Sequence, residues 1–204
     1  MKDRIILYNG PNSPFGRKTK ITAIVQEVKV EEKIIDVYKA DFLDKYNPLR
    51  KIPTLTINGL TITDSDNICL YLDNLSNEKS LYPKDRYWDC MTMISVTNGI
   101  MENAVNRYIE MSAIPEEEQR KKAIERYEKK ILRSINWIEN KFEEIFSNEI
   151  TMDQIAVACA LDYTSFRYTA DWGIENPKLR DWLENISEND FMKSTKPGVS
   201  FKYE

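Results

Sequence analysis

The chain has 204 residues and a formal net charge of −4, with 42% hydrophobic and 30% charged residues, which is typical of a folded globular protein with one or two domains. The mild acidity and the lack of a basic stripe leave no electrostatic footprint for nucleic acid, and no stretch approaches the roughly 18–20 apolar residues of a membrane span. The sequence contains no histidine, which excludes His-based triads, His-ligated zinc sites and a His general base.

The N-terminus and the cysteines both indicate a cytoplasmic location. Met1-Lys2-Asp3-Arg4 leads into only four apolar residues, which is too short for the core of a signal peptide. The cysteines Cys69, Cys90 and Cys159 are scattered and odd in number, as expected for reduced thiols rather than a disulfide framework. We therefore expect the protein to stay in the cytoplasm.

The first part of the chain alternates strand and helix signals. Ile5–Tyr8 is a short apolar run that predicts a buried strand, and Asn9–Asn12 is the loop after it. Ser13 is a good helix N-cap and Pro14 suits the first helical position, so a helix is predicted from there to about Val28. Two weaker elements, a strand and a short polar helix, are predicted over Lys33–Val37 and Asp41–Tyr46.

A hairpin and a third helix complete this part. Asn58-Gly59 separates two β-branched runs, Thr54–Ile57 and Leu60–Thr63, and this is the strongest short-range signal for a hairpin with a type I′ turn. Asp64-Ser65 then caps a helix. Its apolar face is formed by Ile68, Leu72 and Leu75. The order β-α-β-α-β-β-α predicts an α/β layer with a hairpin at one edge.

After a polar linker over residues 78–85, the chain carries only helix signals. One apolar face extends from Trp88 to Val105, and a long regular helix is predicted from Pro115 to Ile145. Thr151–Gln154 has the pattern of a capping box. It precedes Ile155–Leu161, a run that is apolar on all sides and predicts a buried central helix.

Three element starts in the first part are predicted to form one binding site. Ser13 heads the first helix, whose unpaired N–H groups and positive dipole end favour an anion such as a thiolate. Ile52-Pro53 precedes an inner strand, where a cis-proline would turn the Ile52 main chain outward to pair with an extended peptide. Asp64-Ser65 heads another helix, whose start suits a carboxylate. Together they predict a receptor for a small, extended, acidic peptide that carries a thiol.

The same segments carry a family resemblance. The motifs are Ser13-Pro14-Phe15-x-Arg17-Lys18, Asn47-Pro48-Leu49-x-Lys51-Ile52-Pro53-x-Leu55, Asp64-Ser65-x-x-Ile68-x-x-Tyr71-Leu72, Leu81-Tyr82-Pro83-x-Asp85, Asn98-Gly99-Ile100-Met101, Ile155-Ala156-Val157-Ala158-Cys159-Ala160 and Pro177-Lys178-Leu179-x-x-Trp182. In this order and spacing, over nearly the whole chain, they resemble the cytosolic glutathione transferases. The chain is most similar to small bacterial members with a Ser-Pro-Phe helix start.

The resemblance implies the architecture and the partners. An α/β thioredoxin-like, glutathione-binding domain would span residues 1–77, a linker residues 78–85, and an all-helical bundle residues 86–204. Members are commonly homodimers, and reduced glutathione is their co-substrate, so a homodimer without a metal is expected.

The resemblance also implies a glutathione site with a serine at the sulfur. The binding residues would be Lys51, Ile52, Pro53, Asp64 and Ser65. Ser13 would donate a hydrogen bond to the thiolate and so lower the pKa of the glutathione thiol, which is about 8.5 when free. Two alternatives stay open, namely Ser13 as an N-cap only and Tyr8 as the activating hydroxyl.

The electrophile would lie against side chains from both domains. The candidates are Tyr8, Asn12, Phe15, Met101, Arg107, Tyr108, Tyr163 and Phe166. For aromatic and methionine side chains of this kind the alternative is a place in the core.

Several positions depart from the family pattern. Arg50 stands where glycine is common, which bears on the loop before Ile52. Asp64 is one methylene shorter than the usual glutamate, which bears on its reach to the ligand amine. Gly16 and Ser13 replace the two cysteines of dithiol relatives, so a glutaredoxin-like dithiol cycle is not expected.

The expected activity is conjugation of reduced glutathione to small hydrophobic electrophiles, as in detoxification. One alternative is other glutathione-dependent chemistry, such as peroxide reduction or dehalogenation. The other is a non-catalytic module that binds ligands or proteins on the same fold, because a fold alone does not determine function.

Overall fold

The computed structural model describes residues 4–146, 149–168 and 171–198. The described residues up to Leu81, together with those from Asp190 to Gly198, form one compact unit, and Tyr82–Asn189 forms the other. The expected fold class, an α/β thioredoxin-like domain followed by an all-helical domain, is confirmed.

A four-stranded mixed sheet organises the first unit, in the order β2-β1-β3-β4. The strands are β1 Ile5–Asn9, β2 Glu31–Ile34, β3 Thr54–Ile57 and β4 Leu60–Thr63. β1 is parallel to β2 and antiparallel to β3, and β3 and β4 form the predicted hairpin. Asn58 and Gly59 have φ angles of 48° and 83°, the left-handed conformations that a type I′ turn requires.

Helices cover both faces of this sheet. Two of them are α1 Pro14–Val25 and α2 Ser65–Leu75. They bury apolar side chains against Leu7 and Leu55 on one face. A short 3-10 helix, Asp41–Lys45, packs Leu43 against Tyr8 on the other face.

The described part of the second unit contains five α-helices. They are α3 Tyr87–Ala113, α4 Lys121–Glu139, α5 Phe142–Ile145, α6 Met152–Arg167 and α7 Pro177–Ser187. α6 packs against α3 and α7, and every residue of the segment 152–161 is buried. The prediction of a buried central helix is therefore confirmed.

The prediction of one long helix from Pro115 to Ile145 is wrong, because the helical structure is interrupted at two places. Glu116–Glu118 is a single 3-10 turn, and α4 ends at Glu139, before the short α5. The buried Glu110 carboxylate of α3 accepts the Arg120 N–H at 2.8 Å and pairs with its guanidinium at 2.5 Å. This contact holds the chain at Arg120, so α4 begins only after it.

Two smaller predictions also need correction. The second strand ends at Ile34 rather than Val37, because its partner β1 ends at Asn9, which pairs with Ile34. The capping box at Thr151 does not form. Instead the Thr151 hydroxyl donates to Asp153 at 2.6 Å, and that carboxylate pairs with Arg86 at 2.6 Å.

The last described segment belongs to the first unit. A short helix, α8 Asp190–Lys193, packs on α1, and the buried Arg17 guanidinium donates to the Met192 carbonyl and the Thr195 hydroxyl at 3.2 Å each. A buried guanidinium needs such acceptors, which explains the grouping. The predicted boundaries at residues 77 and 86 stay predictions, and residues 1–3 and 199–204 lie outside the described residues.

The three cysteines are free and buried. Burial is the main cause that raises the pKa of Cys90, to about 12, so this thiol is protonated at neutral pH. Across the described ranges, none of the helices is both long and apolar enough to cross a bilayer.

A buried ion pair between α1 and α2 gives the first testable prediction. The Lys18 side chain has no exposed surface and pairs with Asp66, whose side chain is 30% exposed. Asp66→Asn should lower the free energy of unfolding by about 2 kcal/mol, somewhat less than the roughly 3–5 kcal/mol of a fully buried pair. Chemical denaturation measures the loss. Asp85→Asn, at an exposed position, is the control, and an equal loss in both variants would contradict the assignment.

Candidate functional site

The sheet register brings the three predicted binding segments to one edge. Tyr8 of β1 pairs with Thr54 of β3, and Thr54 pairs with Thr63 of β4. The loop after β1, the residues before β3 and the residues after β4 therefore leave the sheet side by side. A Cβ built on Gly10 would lie 2.4 Å from Ile52 Cδ1 and 3.9 Å from Ser13 Cβ, so the first two segments are in close proximity.

Ser13 is the N-cap of α1, as predicted. Its hydroxyl oxygen accepts the Gly16 N–H at 3.1 Å, and its main chain is extended, with φ −72° and ψ 119°. A hydroxyl has one proton and two lone pairs, so this contact leaves the proton available. Capping the helix and donating to a ligand are therefore compatible roles.

The loop that carries Ser13 is held by Asn9 at the end of β1. The buried Asn9 amide accepts the Gly10 N–H through Oδ1 and donates from Nδ2 to Glu32, both at 2.8 Å. Glu32 in turn pairs with Lys20 of α1 at 2.5 Å. The side chain thus links β1, β2 and α1 directly beneath the loop. Sequence reasoning missed Asn9, and its only signal was an amide placed at the strand end.

Gly16 is required by the same packing. A Cβ at this position would fall 1.5 Å from Asn9 Oδ1 and 2.4 Å from Asn9 Cγ. A cysteine there would carry that same Cβ, so the second thiol of a dithiol pair has no room while Asn9 keeps its place. The structure thus gives a steric reason for the glycine.

The loop before β3 leaves the Ile52 main chain available. The Ile52–Pro53 peptide bond is cis, which confirms that prediction. The buried Asn47 amide and the Thr54 hydroxyl donate to the Lys51 carbonyl at 2.9 and 2.8 Å. In the described part of the chain, the N–H and C=O of Ile52 have no hydrogen-bond partner. They can therefore pair with a ligand.

Arg50 does not disturb this loop. It adopts φ 47°, the left-handed conformation in which glycine is favoured, and its guanidinium pairs with Asp41 at 2.8 Å and with Asp44. Hydrogen bonding to Arg50 lowers the pKa of Asp44. The neighbouring Lys51 has an exposed side chain and no ion pair within the described residues. Of the two adjacent cations, only Lys51 is thus left for an anionic ligand.

Asp64 and Ser65 start α2 in an unusual conformation. Asp64 has φ 72° and ψ 132°, and backbone strain of this kind, which costs of the order of 1–3 kcal/mol, clusters at functional sites. Its Oδ1 accepts the Asp66 N–H at 2.8 Å. The hydroxyl and main-chain N–H of the buried Ser65 have no partner in the described ranges. This helix start therefore offers both a carboxylate and donors.

Tyr8 packs on the face of the sheet opposite α1. Its ring lies 5.7 Å from that of Tyr46 and 5.4 Å from that of Phe42, measured between centroids. Burial is the main cause that raises the pKa of Tyr8, and Tyr46 adds to it. The Tyr8 hydroxyl is thus already in contact with that of Tyr46, and the choice between Ser13 and Tyr8 as the activating group stays a prediction.

Two further residues predicted to contact the electrophile lie between β1 and the first turn of α1. The Asn12 side chain is engaged, because its Oδ1 accepts the Gly198 N–H at 3.0 Å. Phe15 is half-buried in the first turn of α1. Their contact with a substrate stays a prediction.

The second unit brings most of its predicted lining residues together. Tyr108, Tyr163 and Phe166 surround the guanidinium of Arg167, a residue that sequence reasoning missed because a basic residue in the last turn of a helix is favoured by the helix dipole alone. Arg107 donates to the Arg167 carbonyl at 3.2 Å. Met101 is fully buried, which favours a packing role for it.

The described residues offer no obvious metal ligands. Among them, no group of three Cys, Asp or Glu side chains is placed to hold an ion. The absence of a metal stays a prediction.

Comparison with known proteins connects this geometry to a family. The glutathione S-transferase N-terminal domain matches residues 7–80, and the glutathione S-transferase C-terminal domain matches residues 121–185. The GST-like protein YibF of Escherichia coli (strain K12), which is uncharacterized, is 28% identical over 192 residues, covering 91% of this chain and 95% of that protein.

Solved structures agree over nearly the full length. A glutathione transferase family member from Pseudomonas fluorescens Pf-5 with bound glutathione is 28% identical with a TM-score of 0.88, covering 96% of this chain and all of that one (100%). The same protein has been solved with bound S-(propanoic acid)-glutathione. A glutathione S-transferase from Methylobacillus flagellatus KT with glutathione bound is 25% identical with a TM-score of 0.88, covering 95% of this chain and 99% of that one.

The contact between Asn9 and residue 16 can be tested by mutation. Gly16→Ala should lower the free energy of unfolding by about 2–3 kcal/mol, since the added methyl overpacks the site. Gly99→Ala is the matched control in a helix with open space around the glycine, and it should stabilise by about 0.5–1 kcal/mol.

The double variant tests whether the loss of stability is caused by the steric conflict between the two residues. Asn9→Ala combined with Gly16→Ala should lose less stability than the sum of the single changes, by about 1 kcal/mol or more. Additive losses in a double-mutant cycle would show that the two residues do not compete for the same space.

Proposed function

Because the chain belongs to the glutathione transferase superfamily, we propose that it conjugates reduced glutathione to small hydrophobic electrophiles. The observation that carries the proposal is the unpaired Ile52 main chain. It lies at the sheet edge that also carries Ser13 and the start of α2.

The dimensions of this edge fit an extended tripeptide. Neighbouring strands are about 4.8 Å apart, so the row across β1, β3 and β4 spans roughly 10 Å. An extended chain of three residues covers about the same length, at roughly 3.3–3.6 Å per residue. In the proposed complex the cysteinyl part pairs with the Ile52 main chain, and the sulfur lies at Ser13.

The two ends of the tripeptide meet complementary charges. The γ-glutamyl ammonium pairs with Asp64, whose Oδ1 already accepts an N–H of its own helix, so the other oxygen takes the ligand. The γ-glutamyl carboxylate lies at the donors of Ser65. A ligand carboxylate also pairs with Lys51.

In the proposed complex, Ser13 activates the sulfur. Its hydroxyl oxygen is fixed by the Gly16 N–H, and its proton donates to the thiolate. A charge-assisted hydrogen bond contributes roughly 1.5–3 kcal/mol, which equals about one to two units of pKa at ~1.4 kcal/mol each. The bound thiol, near ~8.5 when free, would thus be substantially ionised at neutral pH.

The reaction is nucleophilic displacement or addition by that thiolate. With an aryl halide, a carbon–sulfur bond forms, the carbon–halogen bond breaks, and the halide leaves with the bonding electrons. The thiol proton has already passed to solvent. A bound S-substituted glutathione in the Pseudomonas fluorescens relative supports conjugation. A cytoplasmic homodimer that serves in detoxification is part of the proposal.

The central test is the Ser13→Ala variant. It should retain glutathione binding, raise the pKa of the bound thiol by about one to two units, and lower kcat/KM for an aryl halide at neutral pH by roughly 10- to 100-fold. Thiolate absorbance across pH gives the bound pKa. Ser13→Thr keeps the hydroxyl and should restore much of the activity, which separates thiol activation from a general loss of structure.

Two outcomes would overturn the assignment. Unchanged turnover in Ser13→Ala, with loss of turnover in Tyr8→Phe, would move the activating hydroxyl to Tyr8. Hydroperoxide-dependent oxidation of glutathione without any conjugation would favour peroxide reduction on the same thiolate.

The proposed contact of Asp64 with the ligand ammonium is tested by a substitution that is compatible with its positive φ angle. Asn tolerates positive φ nearly as well as Asp, so Asp64→Asn removes only the charge. It should weaken glutathione binding by about tenfold, because a charge-assisted bond to the ligand ammonium is lost. Cysteinylglycine lacks the γ-glutamyl group and should bind both proteins equally in calorimetric titrations. Equal weakening for both ligands would contradict the proposed contact.

A further inference from the structure

Arg167 at the end of α6 is a cation without a protein counter-ion in the part of the chain that the structure describes. Its Nε is buried and has no acceptor, and its guanidinium forms no ion pair with any described acid. A buried donor without an acceptor costs about 1–3 kcal/mol, so it requires an explanation. A ligand that accepts this hydrogen bond is one explanation for such a buried donor.

Aromatic rings take the place of a carboxylate around this group. The Arg167 Cζ lies 3.8 Å from the ring centroid of Tyr108, 4.3 Å from that of Phe166 and 5.7 Å from that of Tyr163. Ring faces stabilise a cation, and the Tyr163 hydroxyl is hydrogen-bonded to the guanidinium, but neither contact gives the buried Nε an acceptor. Tyr108 and Phe166 are 36% and 40% exposed, so the two nearer rings also reach solvent.

The neighbouring charges do not neutralise Arg167. Arg107 pairs with Glu128 at 2.7 Å and stacks on Tyr168 at 4.4 Å, so its charge is compensated. Another of its N–H groups donates to the Arg167 carbonyl at 3.2 Å. The local group therefore has two guanidinium ions and one carboxylate, and an anion is favoured beside Arg167.

We propose that Arg167, Tyr108 and Phe166 form a binding site for the carboxylate of a planar aromatic acid. The guanidinium fork matches a carboxylate in bidentate geometry, and exposed aromatic rings next to it stack on a planar ligand.

Binding is tested without any turnover. Calorimetric titration with 2-naphthoate and with 2-naphthamide, its neutral counterpart, compares the wild-type protein with Arg167→Gln. We expect the wild type to prefer the acid, and Arg167→Gln to weaken the acid by about 10- to 100-fold while changing the amide less than twofold. Arg133→Gln removes an equal charge from an exposed position on α4 and should leave both affinities unchanged.

Three results would overturn the site. The first is that the wild type binds neither ligand at millimolar concentration. The second is that Arg167→Gln weakens acid and amide equally, and the third is that Arg133→Gln weakens the acid as much as Arg167→Gln does. Should Arg167→Gln fail to fold, Arg167→Lys gives the same comparison, because lysine keeps the charge but loses the planar fork. That variant should weaken the acid more than the amide, and equal affinities would count against the site.

Discussion

The position of the Ser13 hydroxyl depends on one close contact, that of the Asn9 side chain with the backbone at Gly16. Asn9 occupies the space that any side chain at position 16 would fill, and its amide joins the first loop residue to β2. The start of α1 therefore sits at a fixed distance from the sheet edge. Without that contact, the N-cap geometry of Ser13 would still form locally, but its place relative to the Ile52 main chain would not be determined.

Main-chain groups make up most of the remaining unpaired donors and acceptors that the structure describes at this edge. The Ile52 N–H and C=O and the Ser65 N–H are backbone atoms, so their placement depends on the fold more than on local side chains. This explains why Arg50 is tolerated at a position where glycine is common. Its backbone takes the left-handed conformation, and the acids of the short 3-10 helix hold its side chain away from the binding edge. Local strain at Arg50 and Asp64 is thus offset by the rest of the first unit.

The sequence was informative wherever a local pattern determines the structure. The Asn58-Gly59 hairpin, the Ser13 cap, the cis bond before Pro53 and the buried run in α6 all follow from short-range rules. The sequence was not informative where contacts between residues far apart in the chain determine the structure. Arg120 is held by Glu110 of another helix, which no periodicity in the 115–145 segment reveals. Asn9 and Gly16 are each unremarkable alone, and only the fold shows that one excludes a side chain on the other.

The surroundings of the buried and half-buried arginines distinguish those that stabilise the fold from the one that is a candidate for binding a ligand. Arg86 and Arg107 pair with carboxylates, and Arg17 donates to a carbonyl and a hydroxyl, so their placement is explained by the fold they stabilise. Arg167 contacts rings that support its charge and is hydrogen-bonded to the Tyr163 hydroxyl, but its buried Nε has no acceptor among the described residues. A guanidinium that is well packed and poorly satisfied contributes little to the fold that an apolar residue of similar size could not. Its chemistry is therefore better explained by what it can bind than by what it holds together.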